Sequence, residues 1–131
     1  KNETKSVEQW AFLYENGPLF MDRLEAITHL LGSKKEKRAQ DIFISALKDP
    51  SWMIRLTAVR AAADLPQEER QRIHPAISRL ALEDPRSYVG AAAVTALKTR
   101  FSGSDNAATL RKAAQDPAPS VINAVKAAIP D

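Results

Sequence analysis

Residues 49–55 read Asp-Pro-Ser-Trp-Met-Ile-Arg, and this stretch decides the fold of the 131-residue chain. The dipeptide Asp-Pro returns at Asp84-Pro85 and Asp116-Pro117, with the prolines 35 and 32 residues apart. Aspartate favours the N-cap of a helix and proline favours its first position, so each Asp-Pro predicts a helix start. A repeat length in the low thirties is typical of stacked helical hairpins.

The residues that follow each Asp-Pro repeat one apolar pattern. At steps of four along the three copies stand Ile54, Val89 and Val121, then Ala58, Ala93 and Val125, then Ala62, Leu97 and Ile129. Steps of four keep one face of a helix apolar, so we expect three helices with equivalent buried stripes. A fourth copy begins at Pro18, 32 residues before Pro50, and lacks only the aspartate.

Amphipathic segments between these copies predict four partner helices, over about 4–16, 33–48, 66–83 and 104–115. The first opens with a possible capping box of Ser6 and Gln9, and the second with a box of Ser33 and Glu36.

The third partner helix contains Pro75, which lacks the N–H for an intrahelical hydrogen bond, so we expect a break or kink near His74. The sequence therefore predicts an all-α fold, an α-solenoid (superhelix) of about four antiparallel helix pairs. We expect a single domain over 1–131, with repeats over about 4–31, 34–65, 66–100 and 104–129.

The composition narrows the classes of protein that remain. Hydrophobic residues make up 44% and only four are glycine, which fits one globular helical domain better than a β-barrel or a disordered chain. Without cysteine, disulfides and thiolate metal sites are excluded. We find no apolar run long enough to span a membrane and no signal-peptide pattern. The net charge of +3 is too small by itself to indicate nucleic acid.

The string Asp49-Pro50-x-x-x-Ile54-Arg55 resembles the turn and second helix of a HEAT repeat. This resemblance spans nearly the whole chain, and it implies that the turn aspartate pairs with basic side chains of its own or the next repeat. Gly90 and Ile122 stand where Arg55 stands, so the later copies depart from the pattern.

Three segments, residues 6–10, 14–26 and 46–56, resemble the C-terminal helical domain of bacterial zinc aminopeptidases of the aminopeptidase N type, especially those of Bacteroidetes. This resemblance implies a larger enzyme whose catalytic domain precedes this piece and holds the zinc, and it leads us to expect a parent protein that is exported or periplasmic. The helical domain would pack over the active-site opening and restrict substrate access. A start at Lys1 rather than Met fits an excised piece.

Nothing in the sequence predicts chemistry within this piece. The motif His-Glu-x-x-His is absent, and the two histidines, His29 and His74, lie 45 residues apart. We therefore predict no catalytic, cofactor-binding or metal-binding residue here. We expect His29 to be buried or half-buried near a turn and His74 to mark the kink.

Five residues are candidates for interaction with a partner. Arg23 and Arg55 occupy equivalent places in the first two copies and could bind a carboxylate ligand, although we favour an internal bridge to Asp22, Asp49 or a neighbouring turn. The other three candidates, Lys34, Lys35 and Arg38, form the one dense basic cluster.

Together with Arg70, Arg72 and Arg79, the basic cluster could contact phosphates. We favour a solvated helix start, because acidic residues are interleaved with these bases. We also favour a core position over an exposed aromatic patch for Trp10, Tyr14 and Trp52.

These patterns and resemblances lead to two predicted functions. The first is a noncatalytic domain of a zinc aminopeptidase that packs on the rest of its parent chain. The alternative is a free-standing HEAT-like scaffold that binds a peptide or protein, with nucleic-acid binding as a minor branch and no membrane partner.

Overall fold

A computed structural model describes residues 5–101, 105–115 and 118–128. Most of these residues are in helices and none is in a strand, which confirms the all-α prediction. The helices are α1 (Val7–Asn16), α2 (Phe20–Leu30), α3 (Lys37–Ala46), α4 (Trp52–Ala62), α5 (Gln67–Glu83), α6 (Ser87–Arg100), α7 (Asp105–Ala113) and α8 (Pro119–Ala128). In the described ranges, no helix combines the length and the apolar character needed to cross a bilayer.

The chain divides into two compact units, Lys1–Leu65 and Pro66–Asp131. In the first unit α1 packs on α2, α3 packs on α4, α1 contacts α3 and α2 contacts α4. The second unit repeats this scheme with α5 to α8. Each unit is therefore two helical hairpins, with the first helices in one layer and the second helices in the other.

The buried stripes of the second helices follow the predicted steps of four. Ile54, Val89 and Val121 are at most 1% exposed, and Ala58, Ala93, Val125, Ala62 and Leu97 are also buried. Ile129 lies outside the described residues. All of these side chains are buried, so the sequence repeat is a repeat of core positions.

The helix starts at Asp-Pro differ from the prediction. The N-caps of α4 and α6 are Ser51 and Arg86, two residues after the aspartates that we expected to cap them. Instead, Asp49 Oδ1 accepts the backbone N–H of Ser51 at 2.8 Å, and Asp84 Oδ1 accepts that of Arg86 at 2.9 Å. Each carboxylate thus closes a turn across the proline before the helix begins. The third pair, Asp116-Pro117, lies outside the described residues.

The first copy has Gly17 where the second has Asp49, and the structure explains this. A Cβ at Gly17 would lie 2.6 Å from Asp22 Cβ and 2.7 Å from the carbonyl oxygen of Leu13. Asp22 takes over at this turn by accepting the Leu19 N–H with Oδ2 at 3.3 Å. The missing aspartate is therefore replaced by another carboxylate one turn later.

In the second unit, Gly90 occupies the register position of Arg55 and is buried. A Cβ at Gly90 would lie 3.4 Å from Val121 Cγ2, so α6 and α8 approach closely there. The second unit therefore has close helix contact where the first has an arginine.

The capping box of Ser6 and Gln9 is confirmed, with Ser6 N–H donating to Gln9 Oε1 at 2.8 Å and Gln9 N–H donating to Ser6 Oγ at 3.1 Å. The box expected at Ser33 and Glu36 is wrong. A short 3-10 helix (Leu31–Ser33) follows α2, and Glu36 is itself the N-cap of α3. Ser33 belongs to the 3-10 helix that continues α2, so it does not form a capping box with Glu36.

Of the break or kink that we expected near His74, the structure excludes the break, because α5 continues from Gln67 to Glu83 with Pro75 inside it. Ile73, Ile77 and Ala81 are buried on both sides of the proline. Packing of this apolar stripe holds the helix together although one backbone hydrogen bond is missing.

Candidate interaction site at the Asp49 turn

Asp49, which joins α3 to α4, is a charged side chain in the core of the first unit and is only 5% exposed. Its Oδ2 accepts the Tyr14 hydroxyl at 2.7 Å and Arg23 Nε at 3.1 Å. Its Oδ1 accepts Arg23 Nη2 at 3.3 Å and the Ser51 N–H at 2.8 Å. Four hydrogen bonds therefore replace the water that the buried carboxylate has lost.

Arg55 reaches the same turn from α4. Its Nη1 donates to the carbonyl oxygens of Asp49 at 2.9 Å and Pro50 at 3.1 Å. The structure thus brings Arg23 and Arg55 together on one turn, Arg23 through the carboxylate and Arg55 through the backbone. This is the internal bridge that we favoured from sequence.

Burial and hydrogen bonding shift the acid–base behaviour of this cluster. Burial raises the pKa of the Asp49 carboxyl, but hydrogen bonds from Arg23, Ser51 and Tyr14 outweigh it, so its pKa lies below the ordinary value. Burial and the hydrogen bond to Asp49 raise the pKa of Tyr14 far above its ordinary value. At neutral pH the cluster is a carboxylate, a guanidinium and a neutral phenol.

The basic cluster of residues 34–38 is largely neutralised by carboxylates of the first unit. Lys34 Nζ lies 2.9 Å from Asp64 Oδ2, and Lys37 Nζ lies 2.7 Å from Asp41 Oδ1. Lys35 is exposed. A surface whose cations are paired in this way attracts phosphates only weakly.

Arg38 bridges two glutamates of α1. Its Nε and Nη2 donate to Glu8 at 3.0 and 3.2 Å, while Nη1 and Nη2 donate to Glu15 at 2.9 and 2.8 Å. The hydrogen bond from Arg38 lowers the pKa of Glu15, and bonds to both glutamates raise the pKa of Arg38. Arg38 therefore ties α3 to α1.

An open groove of about 750 Å³ lies beside the Asp49 turn, bounded by the turn after α1 and the turn after α3. Its lining includes Gly17, Arg23, Ser45, Lys48 and Pro50. Lys48 is exposed in this groove. Among the described residues, no carboxylate forms an ion pair with its ammonium group.

Two of the three aromatic candidates are core residues, since Trp10 and Tyr14 are 8% and 7% exposed, whereas Trp52 is half-buried. His29 stacks on Trp10 with ring centroids 4.0 Å apart and planes 8° from parallel. His29 is nevertheless exposed, so the expectation that it is buried or half-buried is wrong. The exposed His29 ring covers Trp10 at the edge of the core.

His74 does not mark a helix break but forms a hydrogen bond from its Nε2 to Asn106 Oδ1 at 2.6 Å. The amide nitrogen of Asn106 donates to the carbonyl oxygens of Leu97 and Phe101 at the end of α6. Sequence reasoning missed Asn106, because only the folded second unit brings α5, α6 and α7 together there.

Sequence reasoning also missed a set of exposed apolar residues. Met21, Met53 and Tyr88 are each the second residue of a second helix and are 62%, 42% and 59% exposed. Leu19, just before α2, is 62% exposed as well. When the copies are aligned on proline, Met21, Met53 and Tyr88 occupy equivalent positions. This repeat in the sequence could have been used to predict them.

The described residues contain no group of three or more His, Asp or Glu side chains that could hold a metal ion. His29 and His74 are engaged with Trp10 and Asn106 in separate units. In comparisons with known proteins, no family model and no curated protein sequence matches this chain.

Proposed function

We propose that this chain is a noncatalytic HEAT-like repeat domain of a zinc-dependent aminopeptidase, packing against the catalytic domain and narrowing access to it. The observation that carries the proposal is the convergence of Arg23 and Arg55 on the Asp49 turn. These are the residues of the strings that resemble the aminopeptidase domain and the HEAT repeat. Arg23 joins the first hairpin to the second, and Arg55 holds the turn of its own hairpin, as we would expect of HEAT-like repeats.

The chemistry of the described side chains supports a noncatalytic role. In the groove, the Asp49 carboxylate is occupied by hydrogen bonds from Arg23, Tyr14 and Ser51, so it is not free to act as a base. The zinc of the proposed parent enzyme would belong to its catalytic domain. This surface would therefore act by packing against another part of the parent protein and not by catalysing a reaction.

A free-standing protein-binding scaffold is the second candidate function. The exposed apolar residues Met21 and Met53 of the first unit favour it, because large apolar side chains exposed on neighbouring helices indicate a contact with another polypeptide. Nucleic-acid binding has less support, since Lys34 and Arg38 are engaged with carboxylates.

The decisive experiment is to read the gene on the 5′ side of the codon for Lys1. The proposal expects His-Glu-x-x-His with a downstream glutamate ligand. If this motif is found, we expect the catalytic portion, expressed as a separate polypeptide, to co-purify with this chain.

A gene without the motif would rule out the aminopeptidase proposal and leave the scaffold. The nucleic-acid branch is tested by duplex DNA binding at low and moderate salt, where affinity that does not fall with salt would argue against phosphate contacts.

A further inference from the structure

The sequence contains a single Asn-Gly pair, Asn16-Gly17, at the point where α1 ends. We propose that Asn16 is a site of spontaneous covalent modification, in which its side-chain amide forms a cyclic imide with Gly17 and is then hydrolysed to a carboxylate. The reaction consumes one water and releases ammonia, so it needs no enzyme or cofactor. The last turn of α1 controls it, because both reacting groups are hydrogen-bonded within the folded turn. The inference goes beyond the proposed function, because it concerns this chain and water alone.

The chemistry follows from the two residue types. The backbone nitrogen of Gly17 attacks Cγ of Asn16, so that an N–Cγ bond forms, the Cγ–Nδ2 bond breaks, and Nδ2 leaves as ammonia with the proton that Gly17 has lost. Water then opens the imide at either carbonyl, which leaves an aspartate or an isoaspartate, in which the side-chain carbon has become part of the backbone. Glycine favours the attack because it has no Cβ to crowd the approach.

The folded turn engages both the nucleophile and the leaving group. Asn16 is exposed, so water reaches it. The Gly17 N–H, however, donates to the carbonyl oxygen of Leu13 at 2.7 Å, and Asn16 Nδ2 donates to that of Phe12 at 3.0 Å. Helix ends open more readily than helix interiors, so the reaction proceeds from the opened turn. Its rate therefore follows the fraction of time for which Leu13 releases the Gly17 N–H.

The products fit the turn less well than asparagine does. An aspartate at position 16 has no N–H to donate to Phe12, and it adds a negative charge at the C-terminal, negative end of the helix dipole. An isoaspartate lengthens the backbone next to Gly17, where a Cβ would already lie 2.6 Å from Asp22 Cβ and 2.7 Å from the carbonyl oxygen of Leu13. Modification of Asn16 therefore weakens the end of α1 permanently.

The test is to age the full 131-residue chain at mildly alkaline pH in water enriched with heavy oxygen, either folded in buffer or unfolded in guanidinium chloride. Peptide mass spectrometry measures the conversion at each asparagine. We expect Asn16 to take up heavy oxygen in both samples, and to react at least about ten-fold more slowly in the folded chain. Asn123, which is exposed and followed by Ala124, is the internal control and should react more slowly than Asn16 in guanidinium chloride.

Variants separate the opening of the turn from the chemistry. Y14F removes the hydrogen bond that ties the last turn of α1 to Asp49, so it should speed the modification of the folded chain at least about three-fold and raise the exchange rate of the Gly17 amide proton similarly. S45A, which removes an exposed hydroxyl from α3, should change neither rate. G17A should slow the reaction even in guanidinium chloride, because its methyl group crowds the nitrogen. If Y14F does not fold, guanidinium chloride below the unfolding midpoint opens the wild-type turn instead.

Equal rates at Asn16 in the folded and unfolded chains would overturn the control by the turn. An unchanged rate in a Y14F chain whose Gly17 amide exchanges faster would do the same. The chemical assignment would be overturned if Asn16 stayed unmodified in guanidinium chloride, or if Asn123 or the G17A chain reacted there as fast as wild-type Asn16. None of these outcomes depends on the gene sequence on the 5′ side of Lys1, so this inference and the aminopeptidase proposal can fail separately.

Discussion

Arg23 and Asp49 are 26 residues apart in the chain, yet they form a two-point ion pair in which Nε and Nη2 donate to different carboxylate oxygens at 3.1 and 3.3 Å. The pair joins α2, in the first hairpin, to the turn of the second hairpin. The carboxylate side chain is 3% exposed and the guanidinium side chain 23%. Each side chain of this ion pair therefore depends on the other to balance its charge.

Replacing Asp49 by Asn should destabilise the chain by about 2–3 kcal/mol, because Arg23 loses its counter-charge in a partly buried place. Urea denaturation followed by circular dichroism measures this. The control is D64N, which removes the exposed partner of Lys34 and should cost less than about 1 kcal/mol. Equal losses in the two variants would mean that burial of the Asp49 pair has no energetic consequence.

Replacing Tyr14 by Phe should cost about 1.5–3 kcal/mol, because it removes a buried hydrogen bond to a charged acceptor. The control is S45A, which removes an exposed hydroxyl from α3 and should change the stability by less than about 0.5 kcal/mol. A double-mutant cycle with D49N should show that the two losses are not additive. Additive losses would place Tyr14 and Asp49 in separate interactions.

The stability of the first unit should fall as the solution is acidified. The pKa of Asp49 is lower in the folded chain than in the unfolded chain, so its stabilisation is complete above the unfolded value of about 4. It is lost as the pH falls through the lower, folded value. Unfolding free energies measured by urea titration across this range should fall less steeply for D49N. If the unfolding free energies of the wild type and D49N depended on pH in the same way, Asp49 would not be the group responsible.

Replacing Arg38 by Gln should destabilise the chain more at low salt than at high salt, because the bridge to Glu8 and Glu15 is exposed and screened by ions. Thermal denaturation at two ionic strengths measures the difference. K35Q, which removes an exposed charge from the same cluster, is the control and should show a smaller salt effect. A loss independent of salt would indicate packing of the arginine stem instead.

Replacing Gly17 by Ala should destabilise the chain by about 1–3 kcal/mol, since the new methyl group would meet Asp22 Cβ and a backbone oxygen below 3 Å. Gly32 provides the control, because a Cβ there meets nothing within 4 Å. G32A should be neutral or stabilising by less than about 1 kcal/mol, owing to the restricted unfolded chain. Thermal midpoints that fall equally would show that close contact is not the reason for Gly17.

The helices and their buried stripes could be predicted because the spacing of Ile54, Ala58 and Ala62 is a local property of the chain. The role of Asp49 was only partly predictable. Its pairing with an arginine follows from the resemblance to HEAT repeats, but Tyr14 joins it only through packing of α1 against α3.

The errors have physical reasons of the same kind. Tertiary packing keeps α5 intact across Pro75, and stacking on Trp10 leaves His29 on the outside. The groove around Lys48 is formed by two turns that are distant in sequence. No local sequence pattern predicts such a juxtaposition.

The two units differ at the register position that Arg55 occupies in the first unit and Gly90 in the second. In the first unit the joint between hairpins includes a charged cluster that protonation weakens. In the second, at the same register position, Val121 lies beside a buried glycine, and this van der Waals contact does not titrate. Acid should therefore loosen the turn that holds Asp49, and amide hydrogen exchange would record this as a loss of protection at the start of α4, while the contact between Gly90 and Val121 is unaffected.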